Sequence, residues 1–136
     1  MSNSLRSALL VLSLLALPAC YSSSNHTYNT PMGPAGSPGA FALTSPAHNA
    51  GGVSTTATFM WSAANGAVTY RIQISTSAGF GTTVVDAAGL GTTQYTVPAA
   101  TLTAATGYYW RVIATNATGD TYSTGAIATY SAFTTA

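Results

Sequence analysis

The sequence predicts an all-β sandwich of seven antiparallel strands, carried behind an export signal and a flexible linker. Three observations predict it. After residue 40, short runs rich in Val, Ile, Thr and aromatic residues recur between clusters of Gly, Asn, Ser and Pro, the spacing of a sandwich rather than of βαβ units. Within the runs apolar and polar residues alternate, and no segment beyond the leader has a helical period. The inward positions collect both tryptophans and several aliphatic residues. Burying one such side chain stabilises by about 1.5–3 kcal/mol, which supports a core without disulfides.

The leader comes first in the chain. "MSNSLRSALLVLSLLALPAC" carries one cation, Arg6, then an apolar run over residues 8–17. That run is shorter than the roughly 20 apolar residues a bilayer span requires, and it has the shape of a secretory signal peptide covering residues 1–19. Its end, Leu17-Pro18-Ala19-Cys20, resembles a bacterial lipobox, with Leu three positions before the cleavage point, a small residue just before it and Cys just after it. Cys20 is the single cysteine of the chain. The resemblance implies a covalent lipid on Cys20, a diacylglyceryl group often joined by a third chain on the amine. Two or more acyl chains hold a protein firmly at a membrane where one is marginal. Tyr21, rather than Asp, follows the cysteine. The expected location is the cell envelope, and the outer membrane in an organism that has two. Residues 20–40, with the lipidated Cys at their head, form a linker rich in Ser, Asn, Thr, Gly and Pro, with no apolar periodicity. The glycines at 33, 36 and 39 have a collagen-like period, but two triplets cannot sustain a triple helix.

The folded domain is expected over residues 41–136. Its first strand, 41–45, stops at Pro46, and the second is 56–62. Asn65-Gly66 turns the chain into the third, 67–76, where Val68, Tyr70, Ile72 and Ile74 share one face and Thr69, Arg71 and Gln73 the other. A charged group is costly in an apolar core, so the Arg71 face points outward. The fourth and fifth strands are 82–87 and 93–97, the latter stopped by Pro98. In the sixth, 107–116, Arg111 sends Tyr109, Ile113 and Thr115 outward with it, and Tyr108, Trp110, Val112 and Ala114 inward. Asn116, Gly119 and Asp120 mark a loop, with Asp120 as a turn residue, and the last strand is 126–135. The expected core includes Trp61, Tyr70, Ile72, Leu102, Tyr108, Trp110 and Phe133.

These residues carry a second resemblance, which covers the whole of residues 41–136. "TFMWSAANGAVTYRIQIST", in which a tryptophan precedes a Tyr-centred strand, then "FGTTVV", "LTAATGYYWRVIATNATG" and the closing "SAFTT" resemble a fibronectin type III domain, an immunoglobulin-like sandwich. Leu102, Thr106 and Tyr108 have the spacing of that family's tyrosine corner, with Ala104 where the family often has Pro. The resemblance implies that the Tyr108 hydroxyl bonds backbone a few residues upstream.

Charge narrows the function. The chain has three Arg, two Asp, no Lys and no Glu, so charged residues are 4% of it against about 25% in ordinary soluble proteins. Neutralising a run of phosphates takes more cations than this, so nucleic acid is not an expected partner. Acid–base or nucleophilic catalysis needs titratable groups that converge. Asp86, Asp120 and His48 fall on separate segments, and Asp86 is expected to pair with Arg71. No catalytic residue, metal site or cofactor is expected beyond the lipid. Two Asn-X-Thr triplets, at 25–27 and 116–118, are expected to be chance matches.

What remains is the outward face of the third, sixth and last strands, with Arg71, Gln73, Tyr109, Arg111 and Tyr130, extended by Tyr122. These residue types are typical interface anchors. The chain is therefore expected to be a non-catalytic, lipid-anchored structural or protein-interaction module that meets another envelope protein. The alternative is a carbohydrate- or matrix-binding module that meets a surface glycan, which would require exposed, coplanar aromatic rings.

Overall fold

A computed structural model describes residues 36–136. The signal segment, Cys20, most of the linker, His26 and the triplet at 25–27 lie outside the described residues. The described chain is all β, in two sheets. The strands are β1 (Leu43–Ser45), β2 (Ala50–Val53), β3 (Thr58–Trp61), β4 (Thr69–Ser75), β5 (Val85–Leu90), β6 (Gln94–Thr96), β7 (Gly107–Asn116), β8 (Gly119–Tyr122) and β9 (Ser131–Thr135). The smaller sheet has the order β1-β3-β6 and the larger β2-β9-β7-β4-β5, with β8 also paired to β7.

Among the described residues nine strands stand where seven are expected, and one of the pairings between strands is parallel. β2 runs parallel to β9, with Ala50 opposite Phe133 and Val53 opposite Thr135. Its sequence, Ala-Gly-Gly-Val, has little intrinsic strand preference, and its order comes from the neighbour it pairs with. β8 and β9 divide the segment that follows β7. β8 pairs with Ile113 to Asn116, and β9 with Gly107 to Trp110. The β7–β8 turn falls at Ala117-Thr118, so Asp120 is a strand residue opposite Thr115 rather than a turn residue. The expected last strand over 126–135 is reduced to Ser131–Thr135, and 126–130 forms a loop instead. The fourth expected strand lies three residues further on, as β5. There Ile72 faces Ala87 and Tyr70 faces Leu90, so two residues of β5 oppose one of β4. Gly89, at φ 73°, takes the left-handed position of this bulge, which suits a residue without a Cβ.

The core forms between the sheets. Phe59 of β3 meets Trp110 edge-to-face at 4.9 Å and Phe133 at 5.2 Å. Tyr70 takes Trp61 at 5.7 Å and Phe41 at 5.8 Å, and Tyr108 stacks on Phe133 at 5.6 Å. Trp61, Tyr70, Ile72, Leu102, Tyr108, Trp110 and Phe133 are all buried. Val68 is not; it lies in the bend ahead of β4, is 70% exposed, and the inward alternation begins at Tyr70.

Two buried tyrosines anchor loops by their hydroxyls. The Thr103 amide donates to Tyr108 Oη at 3.0 Å, the bond expected of a tyrosine corner. The Ala64 amide donates to Tyr70 Oη at 2.9 Å. The Thr106 amide donates to Thr135 Oγ1, whose hydroxyl donates to the Thr103 carbonyl, tying the corner to β9.

Residues 36–40, read from sequence as the end of the linker, lie against the domain. Asn116 Nδ2 donates to the carbonyls of Gly36 and Gly66, Thr121 Oγ1 donates to Pro38 O, and Pro38 is buried. Asn116 Oδ1 accepts from the amides of Thr118 and Gly119. The amide that the triplet at 116–118 would offer for glycosylation is thus committed at both ends.

Candidate functional site: the outer face of the larger sheet

Arg71, Arg111, Asp86 and Asp120 are all of the charged side chains between residue 36 and the last residue. The strand registers put all four on one face, the outer face of the larger sheet. Two cations and two anions make that face neutral overall.

A chain of hydrogen bonds crosses the sheet. Arg71 Nε and Nη2 donate to the two carboxylate oxygens of Asp86, each at 2.5 Å, a bidentate pair between neighbouring strands. Gln73 Nε2 donates to Asp86 Oδ2 at 3.1 Å, and Arg111 Nε donates to Gln73 Oε1 at 2.8 Å. The Arg71 hydrogen bond holds the Asp86 carboxyl below the usual carboxylate range, helped by Gln73 and by the charges of Arg71 and Arg111. Asp86 in turn raises Arg71 above its ordinary value, first by the hydrogen bond and then by its charge. Both side chains remain partly open to water, 46% and 31% exposed, so the pair is worth little to stability.

Gln73 is placed differently from expectation. It belongs to the outer face but is only 7% exposed, because its amide is clamped between Arg111 and Asp86 and covered by them. Alternation assigns a side of the sheet; it does not say what lies on top of that side.

The six candidate residues divide into two groups. Tyr109 and Tyr130 meet edge-to-face at 5.6 Å and 87°, and Tyr130 meets Phe80 at 5.9 Å and 62°. Arg111 stands 4.2 Å over the Phe80 ring and 5.1 Å from the centre of Tyr122. Phe80 is the residue that sequence reasoning missed. It sits in a Ser- and Gly-rich loop between β4 and β5, where φ 51° turns it back over the sheet, and it is 8% exposed. A large aromatic side chain amid turn residues is the one signal that marks it. This half of the face is a closed cluster with perpendicular rings, and the coplanar aromatic platform is not there.

The other half is open. A cleft of about 310 Å³ lies where Arg71, Tyr122, Asp120, Thr69 and Thr115 converge over Ile113. Tyr122 is 45% exposed. Thr115 Oγ1 donates to Asp120 Oδ1 at 2.7 Å, leaving Oδ2 without a hydrogen bond among the described residues. A second depression of about 300 Å³, between Asn49, Thr76, Tyr109 and Thr134, has no charged residue in its lining. His48 is on a separate edge, where its Nδ1 accepts from the Ala132 amide at 3.2 Å. Among the described residues no three His, Cys, Asp or Glu side chains come together as a metal site would need.

No family model matches the chain, and no curated protein matches it. Solved structures similar to it include an Fn3-like protein from Clostridium thermocellum, 24% identical, with a TM-score of 0.49, covering 73% of this chain and 91% of its own. A second, FN3tt mut, is 24% identical with a TM-score of 0.43, covering 71% of this chain and 91% of its own.

Proposed function

We propose that the chain is an exported protein, anchored to the cell envelope through a lipid on Cys20, whose sandwich is a non-catalytic structural or protein-interaction module of fibronectin type III type. In an organism with two membranes the anchor lies in the outer one, and the partner is another envelope protein. The observation that carries the reading is the gathering of all the domain's charge, with four of its aromatic residues, on one solvent-facing sheet surface. The non-catalytic reading is supported by the pairing of Asp86 with Arg71, of one Asp120 oxygen with Thr115 and of His48 with backbone, which keeps these three groups at separate points of the described residues. The Tyr108 bond to Thr103 at the family's spacing supports the domain type.

The test is metabolic labelling with a palmitate analogue, comparing wild type with Cys20→Ser, followed by membrane fractionation. Label and membrane retention are both expected to disappear in the variant. A wild-type chain that takes no label and fractionates as a soluble protein outside the cytoplasm would overturn the anchor.

A second reading, a carbohydrate- or matrix-binding module, is favoured by one observation, the open polar cleft beside Tyr122. It does not depend on the closed aromatic half of the face.

A further inference from the structure

We infer that the cleft between Arg71 and Asp120 is a binding site for a neutral saccharide, with Tyr122 as its stacking wall. The inference rests on the carbohydrate-binding reading and gives that reading a location.

The argument starts from what a pyranose ring presents. It has an apolar face of C–H groups and a rim of hydroxyls, each needing a donor and an acceptor. A site for it therefore needs an apolar wall or floor beside donors and acceptors that are not already used. The cleft supplies both. Ile113 is its floor, and the exposed Tyr122 ring is one wall. Arg111 lies against Tyr122, two residues along β7 from Ile113 and away from Thr115 and Asp120. Its guanidinium lies over the Tyr122 ring, and the cleft, with Asp120 in its lining, opens beside that ring.

The polar complement is unspent. Among the described residues, Asp120 Oδ2, Thr69 Oγ1, the Tyr122 hydroxyl and Arg71 Nη1 make no hydrogen bond. Asp120 and the hydroxyls accept; Arg71 donates from a position that Asp86 fixes through the other two nitrogens. Opposite Tyr122, Gly89 puts no side chain on the rim of the cleft, and nothing lies within 4 Å of where its Cβ would be. The volume, about 310 Å³, is at the small end of the range of roughly 300–1,000 Å³ for small-ligand sites.

Charge selects the class of sugar. Asp120 and Arg71 face each other across the cleft, Asp86 neutralises Arg71, and Arg111 lies behind Tyr122, so the four groups sum to zero. A carboxylated sugar would meet the unpaired Asp120 oxygen, with Arg71 already neutralised by Asp86, and be repelled. A neutral ring meets no such penalty.

The test titrates the purified full-length chain, in mild detergent, with tri-N-acetylchitotriose, cellotriose and maltotriose, and with trigalacturonate as the acidic comparator. Amide shifts in the NMR spectrum are followed throughout. The expected result is saturable shifts at Thr69, Gly89, Thr115, Asp120 and Tyr122 with at least one neutral trisaccharide, and weaker or no shifts with trigalacturonate. Tyr122→Ala is expected to weaken association about tenfold or more and Tyr122→Phe to retain most of it. Asp120→Asn, an isosteric change at an exposed position that keeps an acceptor for Thr115, is expected to weaken it as well. Saturable shifts that map to the other half of the face or to the sheet edges would overturn the site but leave a carbohydrate-binding module. No shift with any of the four would overturn both. Tighter binding of trigalacturonate would overturn the charge argument and with it the assignment.

Discussion

The guanidinium of Arg111 stands 4.2 Å over the ring of Phe80, a residue 31 positions earlier that reaches it from a loop on the far side of β4. Tyr122 closes the other flank, and Gln73 takes the Nε hydrogen. The aromatic run around Arg111 is thus divided by the pleat. Tyr108 and Trp110 are core, whereas Tyr109 and Arg111 belong to an ordered cluster on the outer surface.

Phe80 is the keystone of that cluster, because Arg111 and Tyr130 both rest on its ring. Phe80→Ala is expected to destabilise the domain by about 2–3 kcal/mol, below the roughly 3–5 kcal/mol for a fully enclosed phenylalanine, because the site opens on solvent. Arg111→Ala should cost about 1 kcal/mol through the lost cation–π contact. Urea unfolding midpoints, at constant slope, measure both. A Phe80→Ala midpoint equal to wild type would mean that the cluster contributes nothing to stability.

The two tyrosine hydroxyls are expected to differ in worth. Tyr70→Phe leaves the Ala64 amide without its acceptor in a buried position, whereas Tyr108→Phe leaves that of Thr103, an exposed residue that water can reach. The first should cost about 1.5–2 kcal/mol and the second about 1 kcal/mol. Tyr70 pairs with Ala114, six residues along β7 from Tyr108, which is a separation of about 20 Å. The double variant should therefore equal the sum of the singles to within about 0.5 kcal/mol. Equal single costs would show that the corner loop is drier than Thr103 suggests.

How far the sequence could be read depended on the kind of force that places each residue. Arg71 and Arg111 cannot enter an apolar core, so a two-residue period and one charge were enough to assign β4 and β7 their faces. Strands held only by their neighbours were not legible. β2 contains two glycines and exists by pairing with β9. β8 begins among residues that read as a turn, and the Asn116 side chain itself holds that turn closed. Arg71, Gln73, Tyr109 and Arg111 follow from alternation, whereas Tyr122, expected in a loop, is placed by β8. Phe80 does not follow from it, because its position depends on a left-handed backbone angle. Nor does the cleft, which exists because β8 brings Asp120 beside Thr115.

Acid should loosen the sheet through Asp86. Its pKa in the folded protein is held down, chiefly by the Arg71 hydrogen bond, while in the unfolded chain it returns to about 3.9. The contribution to stability is therefore complete above that value and is lost as pH falls through the lower folded value. The pair is partly exposed, so the loss is small, but only one other carboxylate side chain in the chain titrates against it. Between about pH 4 and pH 2 the wild type should lose more stability than Asp86→Asn, and the two curves should converge at the acid end. Parallel curves over that interval would show that the pairing does not perturb the carboxyl. Arg71, with its pKa raised, gives a contribution lost only above its already high value, beyond the range of such a titration.

Gly125 tests whether the two halves of the outer face are independent. A Cβ on this residue would stand 2.0 Å from the Tyr130 carbonyl oxygen and 2.4 Å from its carbon, both backbone atoms that no rotamer change can move aside. The loop it belongs to is closed by the Gly125 amide on the Ala128 carbonyl and by reciprocal bonds between Ile127 and Tyr130. Gly125→Ala must open that loop and withdraw Tyr130 from Tyr109 and Phe80, at a cost of about 1–3 kcal/mol. Amide exchange at Ile127 and Tyr130 should accelerate, because their bonds to each other are the ones released. Tyr122 and Asp120 are in β8, held to β7 by their own ladder, so their exchange rates and the Thr115 contact should stay at wild-type values. Faster exchange at Tyr122 as well would show that the aromatic cluster and the cleft are one cooperative unit.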